Sequence, residues 1–249
     1  MKIFIDGFGF VAHSIVRKLI DKHSFPKSSI FVNTYDSEEN FVFKKYLEQA
    51  GITYVIKKYC DFYDEIDQFK PDYFLSLYGR RIIPVEILKL VRRKSINLHP
   101  SLLPKYKGCF SCPWVILNRE KFTGITIHEI VEKVDSGDIL FQKKIALHAN
   151  ETAFSLYHRL ASLFVSNFDE FFYDLTGEKI IPIKMNSGGK YYPRKVPHSG
   201  YIDIDWSVDK VEAFIRAMHF PPHKGAILKQ GNMEIEINSI QEFEKLGLS

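Results

Sequence analysis

Short apolar runs alternate with helix-period stretches through the first part of the chain. Lys2–Asp6, Ile30–Asn33, Thr53–Ile56, Tyr73–Leu77 and Ser95–Leu98 read as strands, with helices over Ala12–Lys22 and Glu39–Gly51. Near-continuous apolar strands separated by amphipathic helices predict an α/β fold around a mostly parallel sheet, because such strands are covered on both faces. A further helix begins near Pro84, and Arg92-Arg93-Lys94 at its end reads as a solvated, cationic last turn that suits the helix dipole.

From Gly124 the apolar period falls to two. Ile125–Ile130 and Ile139–Ile145 read as strands bracketing a loop that contains Asp135. A long helix follows, from near Thr152 to near Asp174, with Asn150 as its cap. Its apolar stripe, Phe154, Leu156, Tyr157, Leu160, Leu163, Phe164, Phe168 and Phe171, is expected in the core. Gly177, Pro182, Gly188 and Gly189 then break the pattern, which divides the chain into residues 1–184 and a small C-terminal region, 185–249.

The chain has 249 residues, 45% apolar and 26% charged, enough to bury a core and ordinary for a soluble globular protein. With 34 basic and 30 acidic residues the net charge is +4, too mild to imply a nucleic-acid partner. No stretch is long and apolar enough to span a membrane, and the N-terminus reads as a first strand rather than a signal peptide. Cys60, Cys109 and Cys112 fit a reducing compartment, so a cytoplasmic protein is expected. Cys109 and Cys112 form a C-x-x-C with no second pair to complete a metal site, and both thiols are expected to be reduced and structural.

Candidate chemistry lies in the middle of the chain. Ile96 belongs to an apolar run, and Pro100 and Pro104 stop any helix, so Asn97 and His99 are expected at the mouth of a strand. At i and i+2 their side chains point to one face. An amide donor beside an imidazole, with a carboxylate such as Asp135 to orient the ring, suits stabilising an oxyanion and moving its proton. A competing signal is Gly7-Phe8-Gly9-Phe10-Val11-Ala12, which follows a strand and opens a helix like a dinucleotide-binding turn. Its acidic partner, Asp36, comes later than the usual spacing of about 20 residues, and an NAD-dependent oxidoreductase stays as an alternative.

Three ordered motifs sharpen the picture: the run from Asn97 to Gly108 (N-L-H-P-S-L-L-P-K-Y-K-G), Thr123-Gly124-Ile125-Thr126-Ile127-His128, and Asp135-Ser136-Gly137. Together they resemble the signature of the folate-dependent formyltransferases, and the likeness covers most of the first ~180 residues, with weaker matches beyond. The resemblance implies a Rossmann-like formyltransferase domain over residues 1–184, with mostly parallel sheet, and a small mixed C-terminal region for substrate binding or dimerisation. It implies N10-formyl-tetrahydrofolate as cosubstrate, no metal, and Asn97, His99 and Asp135 as the catalytic residues. The pterin is expected between Tyr78–Pro84 and Val131–Asp135, against Tyr78, Arg81, Ile82, Ile83, Val131, Val134 and Asp135. His128 closes the second motif, and its role stays open between function and packing.

The last third of the chain separates the branches of that family. The glycinamide-ribonucleotide enzymes end soon after the long helix, and the methionyl-tRNA enzymes carry a β-barrel for which Trp206–Ser249 is too short and too weakly basic. Tyr191-Tyr192-Pro193-Arg194-Lys195, Ile204-Asp205-Trp206 and Phe220–Ala226 resemble instead the sugar-nucleotide N-formyltransferases. A nucleotide sugar needs an aromatic face for the base and cations for the pyrophosphate, which makes Arg80, Lys105, Tyr191, Tyr192, Arg194 and Phe220 the substrate-binding candidates. The expectation is formylation of a dTDP-linked 3- or 4-amino-dideoxyhexose, ahead of UDP and GDP sugars, for bacterial surface polysaccharide such as O-antigen or lipopolysaccharide. The enzyme is expected to be a homodimer with no nucleic-acid or membrane partner. Methionyl-tRNA or glycinamide-ribonucleotide formylation and a non-catalytic folate- or nucleotide-binding module are the alternatives.

Overall fold

The structure is a computed structural model and describes residues 1–247. The strands are β1 (Ile3–Gly7), β2 (Ile30–Asn33), β3 (Thr53–Val55), β4 (Tyr73–Leu77), β5 (Lys94–His99), β6 (Lys107–Gly108), β7 (Phe122–Glu129), β8 (Ile139–Ala146), β9 (Tyr191–Tyr192), β10 (Ala226–Gln230) and β11 (Met233–Ile237). The α-helices are α1 (Gly9–Asp21), α2 (Phe41–Ala50), α3 (Tyr63–Phe69), α4 (Val85–Lys89), α5 (Ser111–Leu117), α6 (Ala153–Thr176), α7 (Val208–Met218) and α8 (Ile240–Lys245).

A seven-stranded sheet has the order β3-β2-β1-β4-β5-β7-β8, parallel from β3 to β5, with β7 antiparallel to β5. The expected mostly parallel α/β sheet is therefore present. β1 and β4 are buried at every position, as strands covered on both faces must be. Phe4, Phe31 and Phe74 pair across β1, β2 and β4 on one face, and Ile66 of α3 and Ile87 of α4 close over them. Two residues further along, the same face turns polar. Asn33, Asp6, Ser76, Asn97 and His128 are register partners in sequence across β2, β1, β4, β5 and β7. The chain runs outward from β1 to β3 and returns through β4, so this row crosses the switch point where α/β sheets receive ligands.

The chain clusters into two compact units, one of Met1–His99, Ile125–Gln142 and Ala161–Ser187, the other of Pro100–Gly124, Lys143–Leu160 and the residues from Gly188 onward. In the second unit β6 pairs with β9, and β10 with β11.

Three expected details differ. The helix after Pro84 stops at Lys89, so Arg92 and Arg93 are not its last turn; their backbone amides donate to Pro71 and Asp72, and Lys94 opens β5. Lys94 pairs with Glu129 on β7, and this ion pair replaces the helix-dipole role. Asn150 is exposed and does not cap α6. Thr152 does, since its hydroxyl accepts from the Ser155 amide at 3.1 Å while the Ser155 hydroxyl accepts from the Thr152 amide at 3.0 Å. In the α6 stripe Leu156, Leu160, Phe164, Phe168 and Phe171 are buried, but Phe154, in the first turn, is 37% exposed.

Candidate active site

Asn97 and His99 lie on β5, His99 as its last residue and Asn97 two positions before it, and point to one face as alternation requires. β7 runs beside them, and its register sets His128 opposite Asn97 and Thr126 opposite His99. The Asn97 amide nitrogen lies 3.1 Å from His128 Nε2. His128 Nδ1 lies 2.8 Å from the Glu129 carbonyl oxygen, which can only accept, so Nδ1 carries a proton. In the neutral ring that leaves Nε2 to accept an N–H of Asn97. The amide has two such hydrogens, and the second stays available.

Asp135 comes from the loop between β7 and β8. Its φ is +48°, a left-handed conformation that Asp tolerates better than most residues at a cost of about 1–3 kcal/mol. The bend places the carboxylate between two imidazoles: Oδ2 is 3.4 Å from His99 Nδ1, and Oδ1 is 3.3 Å from His128 Nε2. All three side chains are at most 7% exposed. The Glu129 amide donates to the Asp138 carbonyl and closes the base of the loop. A methyl group at Gly137 would sit 2.1 Å from the Glu129 carbonyl oxygen, the same oxygen that holds His128 Nδ1. The D-x-G motif thus supplies a carboxylate and the room for the chain behind it.

Residues 29–168 match the model of the formyl transferase family. The chain belongs to that family. The GDP-perosamine N-formyltransferase of Brucella melitensis is 39% identical over 195 residues, which cover 75% of this chain and 71% of that protein. Among solved structures, a 4-N formyltransferase from Francisella tularensis superposes with a TM-score of 0.74 at 25% identity, covering 95% of this chain and 96% of the other. An N-formyltransferase from Helicobacter canadensis, solved with folinic acid and dTDP-3-aminofucose, gives 0.75 at 25% identity and covers 94% and 86%.

Around these residues, Ile83 and Ile130 pack on the same Phe4–Phe31–Phe74 cluster, so the loops 78–84 and 131–135 rise from one base. Ile82 is 83% exposed, and Val131 and Val134 are also exposed, which gives the first unit apolar side chains at the surface of both loops. Tyr78 packs edge-on against Phe164. Arg81 turns inward: its Nη2 donates to the Thr34 carbonyl at 3.0 Å and its guanidinium covers the Tyr35 ring. Arg80 lies 3.6 Å over the Phe8 ring and pairs with Glu39.

In the second unit Tyr192 is buried, with its ring between Tyr106 at 5.5 Å and Trp114 at 4.7 Å, which leaves no face for a base. Tyr191 is 53% exposed. Arg194 and Lys195 follow it at the surface. Lys105 pairs with Glu120, and Phe220 packs edge-on against Phe154 and Tyr157. In the glycine turn before α1 the Gly9 amide is engaged, donating to Asn40 Oδ1 at 2.9 Å, and Asp36 pairs with Lys44. Cys60, Cys109 and Cys112 are free thiols. Burial pushes the Cys112 thiol up to about 12.

His128 was not among the catalytic candidates, although it ends the T-G-I-T-I-H motif. Sequence alternation placed it on a strand face; only the pairing of β7 with β5 puts it on Asn97.

Proposed function

We propose that this formyltransferase moves the formyl group of N10-formyl-tetrahydrofolate to the amine of a nucleotide-linked amino-deoxysugar, and that Asn97, His99 and Asp135 carry the step. The observation behind it is the Asn97–His128–Asp135–His99 cluster at the end of β5, in which Asn97 is half-buried and the other three are buried. Support for the sugar comes from a relative at 39% identity named for GDP-perosamine and from the Helicobacter canadensis enzyme solved with folinic acid and dTDP-3-aminofucose.

The chain's own chemistry is then simple. As an amine attacks the formyl carbon, charge grows on the formyl oxygen, and the second N–H of Asn97 donates to it. His128 holds the first N–H and so fixes the amide plane. Asp135 accepts from His99 Nδ1–H, which leaves Nε2 with its lone pair to take the proton of the attacking amine. No covalent enzyme intermediate is needed; the protein positions and stabilises. The exposed apolar side chains of loops 78–84 and 131–135 fit the faces of a pterin, and their backbone groups would meet its polar edge. In the second unit, Tyr191 with Arg194 and Lys195 would take the base and pyrophosphate; Tyr192 would not, since its ring is enclosed.

The deciding assay is formyl transfer from N10-formyl-tetrahydrofolate to GDP-, dTDP- and UDP-linked 3- and 4-amino-deoxysugars, with glycinamide ribonucleotide and Met-tRNA alongside. The GDP sugars are the first substrates to test, ahead of the dTDP sugars, because a relative at 39% identity is named for GDP-perosamine. A mass gain on one sugar nucleotide, abolished by Asn97→Ala, is expected. Transfer only to Met-tRNA or glycinamide ribonucleotide would overturn the substrate and keep the mechanism.

A further inference from the structure

The polar row that carries Asn97 and His128 also carries Asp6, two strands away on β1. Asp6 is 1% exposed, an unusual place for a carboxylate, and takes no part in the chemistry above. Its oxygens are occupied from three separate connections. The Tyr35 hydroxyl, after β2, donates to Oδ1 at 2.8 Å, and the Tyr59 hydroxyl, after β3, donates to Oδ2. Arg81, after β4, brings Nη1 to 3.5 Å from Oδ2. Burial pushes the Asp6 carboxyl above its ordinary value, while the two tyrosine hydroxyls and Arg81 work against that shift. Such a group persists only where its donors are held in place.

What Asp6 holds in return is the loop after β4. Tyr78 has a left-handed φ of +57°, which turns the chain back over β1 and β4. Gly79 then lies on the polar row itself: a Cβ there would meet Ser76 Oγ at 2.9 Å and Asp6 Oδ1 at 3.4 Å. The Arg80 amide donates to the Tyr35 hydroxyl, which passes its own hydrogen to Asp6. Arg81 completes the tie by donating to the Thr34 carbonyl and lying 3.9 Å over the Tyr35 ring. Two consecutive loop residues, Arg80 through Tyr35 and Arg81 directly, are therefore fastened to one buried carboxylate, and Gly79 packs close against it.

We infer that Asp6 is a positioning residue for the folate cosubstrate: through Tyr35 and Arg81 it holds residues 79–81 so that loop 78–83 meets the pterin already formed. The inference rests on the reading above that this loop receives the pterin. A preformed loop raises affinity by sparing the ligand the cost of ordering it. Because Asp6 takes no part in the proposed transfer step and acts only through the loop that follows β4, its effect falls on folate affinity and not on turnover or on the sugar.

Asp6→Asn keeps the shape and removes the charge, and Tyr35→Phe removes only the hydroxyl that links Asp6 to the Arg80 amide. Equilibrium binding of 5-formyl-tetrahydrofolate, KM for each substrate, and amide exchange of residues 79–81 without any folate are measured on the full chain. Both variants are expected to raise the Kd for 5-formyl-tetrahydrofolate and the KM for N10-formyl-tetrahydrofolate about tenfold, as loss of one charge-assisted hydrogen bond does. The kcat and the sugar KM should stay within about twofold, and the 79–81 amides should exchange faster. If Asp6→Asn does not fold, Tyr35→Phe decides alone. Unchanged folate Kd in a folded variant, while the wild type binds, overturns this inference and leaves the proposed function standing. A wild type that binds no folate overturns both.

Discussion

Asn97 on β5 and His128 on β7 are register partners, and the amide nitrogen of one lies 3.1 Å from Nε2 of the other. With Nδ1 committed to the Glu129 carbonyl, His128 can hold the Asn97 amide in a single orientation. His128→Ala should therefore lower kcat roughly 10–100-fold with little change in either KM, less than the 10²–10³ expected for Asn97→Ala. In an Asn97→Ala background the His128 substitution should cost almost nothing more, because the two act through one donor. Additive losses in that double-mutant cycle would show that His128 works independently of Asn97.

Asp135→Asn tests the tautomer. An Asn side chain can present its N–H to His99 Nδ1, which turns Nδ1 into the acceptor and puts the ring proton on Nε2, where the amine needs a base. The folded variant should lose about 10²–10⁴ in kcat. Steady-state kinetics beside a circular dichroism spectrum would read this, and a variant with more than a tenth of wild-type kcat would exclude Asp135 as the residue that sets the ring.

Much of this site was legible from sequence because its chemistry is local. Asn97 and His99 stand at i and i+2, and Asp135 announces itself in a D-x-G turn. The rest depends on pairings that no local pattern carries. His128 looked like any residue of a half-buried strand until β7 was laid antiparallel on β5. Asp6 ends an apolar run as many strand-ending acids do, and only the β1–β4 register and three separate connections make it a hub. Tyr191 and Tyr192 were indistinguishable as neighbours; alternation says one is inward, but not that its ring lies between Tyr106 and Trp114. Lys94 was misread for the opposite reason: local charge pattern favoured a helix end, and strand pairing with Glu129 overrode it.

Gly137→Ala should damage the site from behind. The new methyl would lie 2.1 Å from the Glu129 carbonyl oxygen, so that carbonyl or the Asp135 turn must move. Either movement disturbs His128 or Asp135, and kcat should drop by at least about tenfold, with a destabilisation of about 1–3 kcal/mol from the overpacking. Thermal unfolding and kinetics on the same preparation check both numbers; full activity would mean the loop relaxes without moving the carboxylate.

Cys60 and Cys112 should separate by burial. Cys60 is exposed, while Cys112 is buried and its thiol is pushed up to about 12, so almost none of it is thiolate near pH 8. Iodoacetamide at pH 8 should label Cys60 in the native protein and Cys112 only after denaturation. Mass spectrometry of the digested protein reads the sites, and rapid native labelling of Cys112 would contradict the packing of α5.

Asp169 on α6 links the last part of the first unit to α1. Burial alone would raise its carboxyl, but hydrogen bonds from Lys18, Lys22 and His23 outweigh that and hold it well below the usual carboxylate value. A folded-state value below the unfolded one adds stability above the unfolded pKa of about 4, and that stability is lost as pH falls below it. Asp169→Asn should thus lower Tm by several degrees at pH 7, since about 1 kcal/mol corresponds to roughly 2–4 °C in a protein of this size. Below about pH 4 the wild-type carboxylate progressively loses this advantage, and the two melting curves should converge. A gap in Tm that stays constant from pH 7 to pH 3 would mean the aspartate acts by packing rather than by its charge.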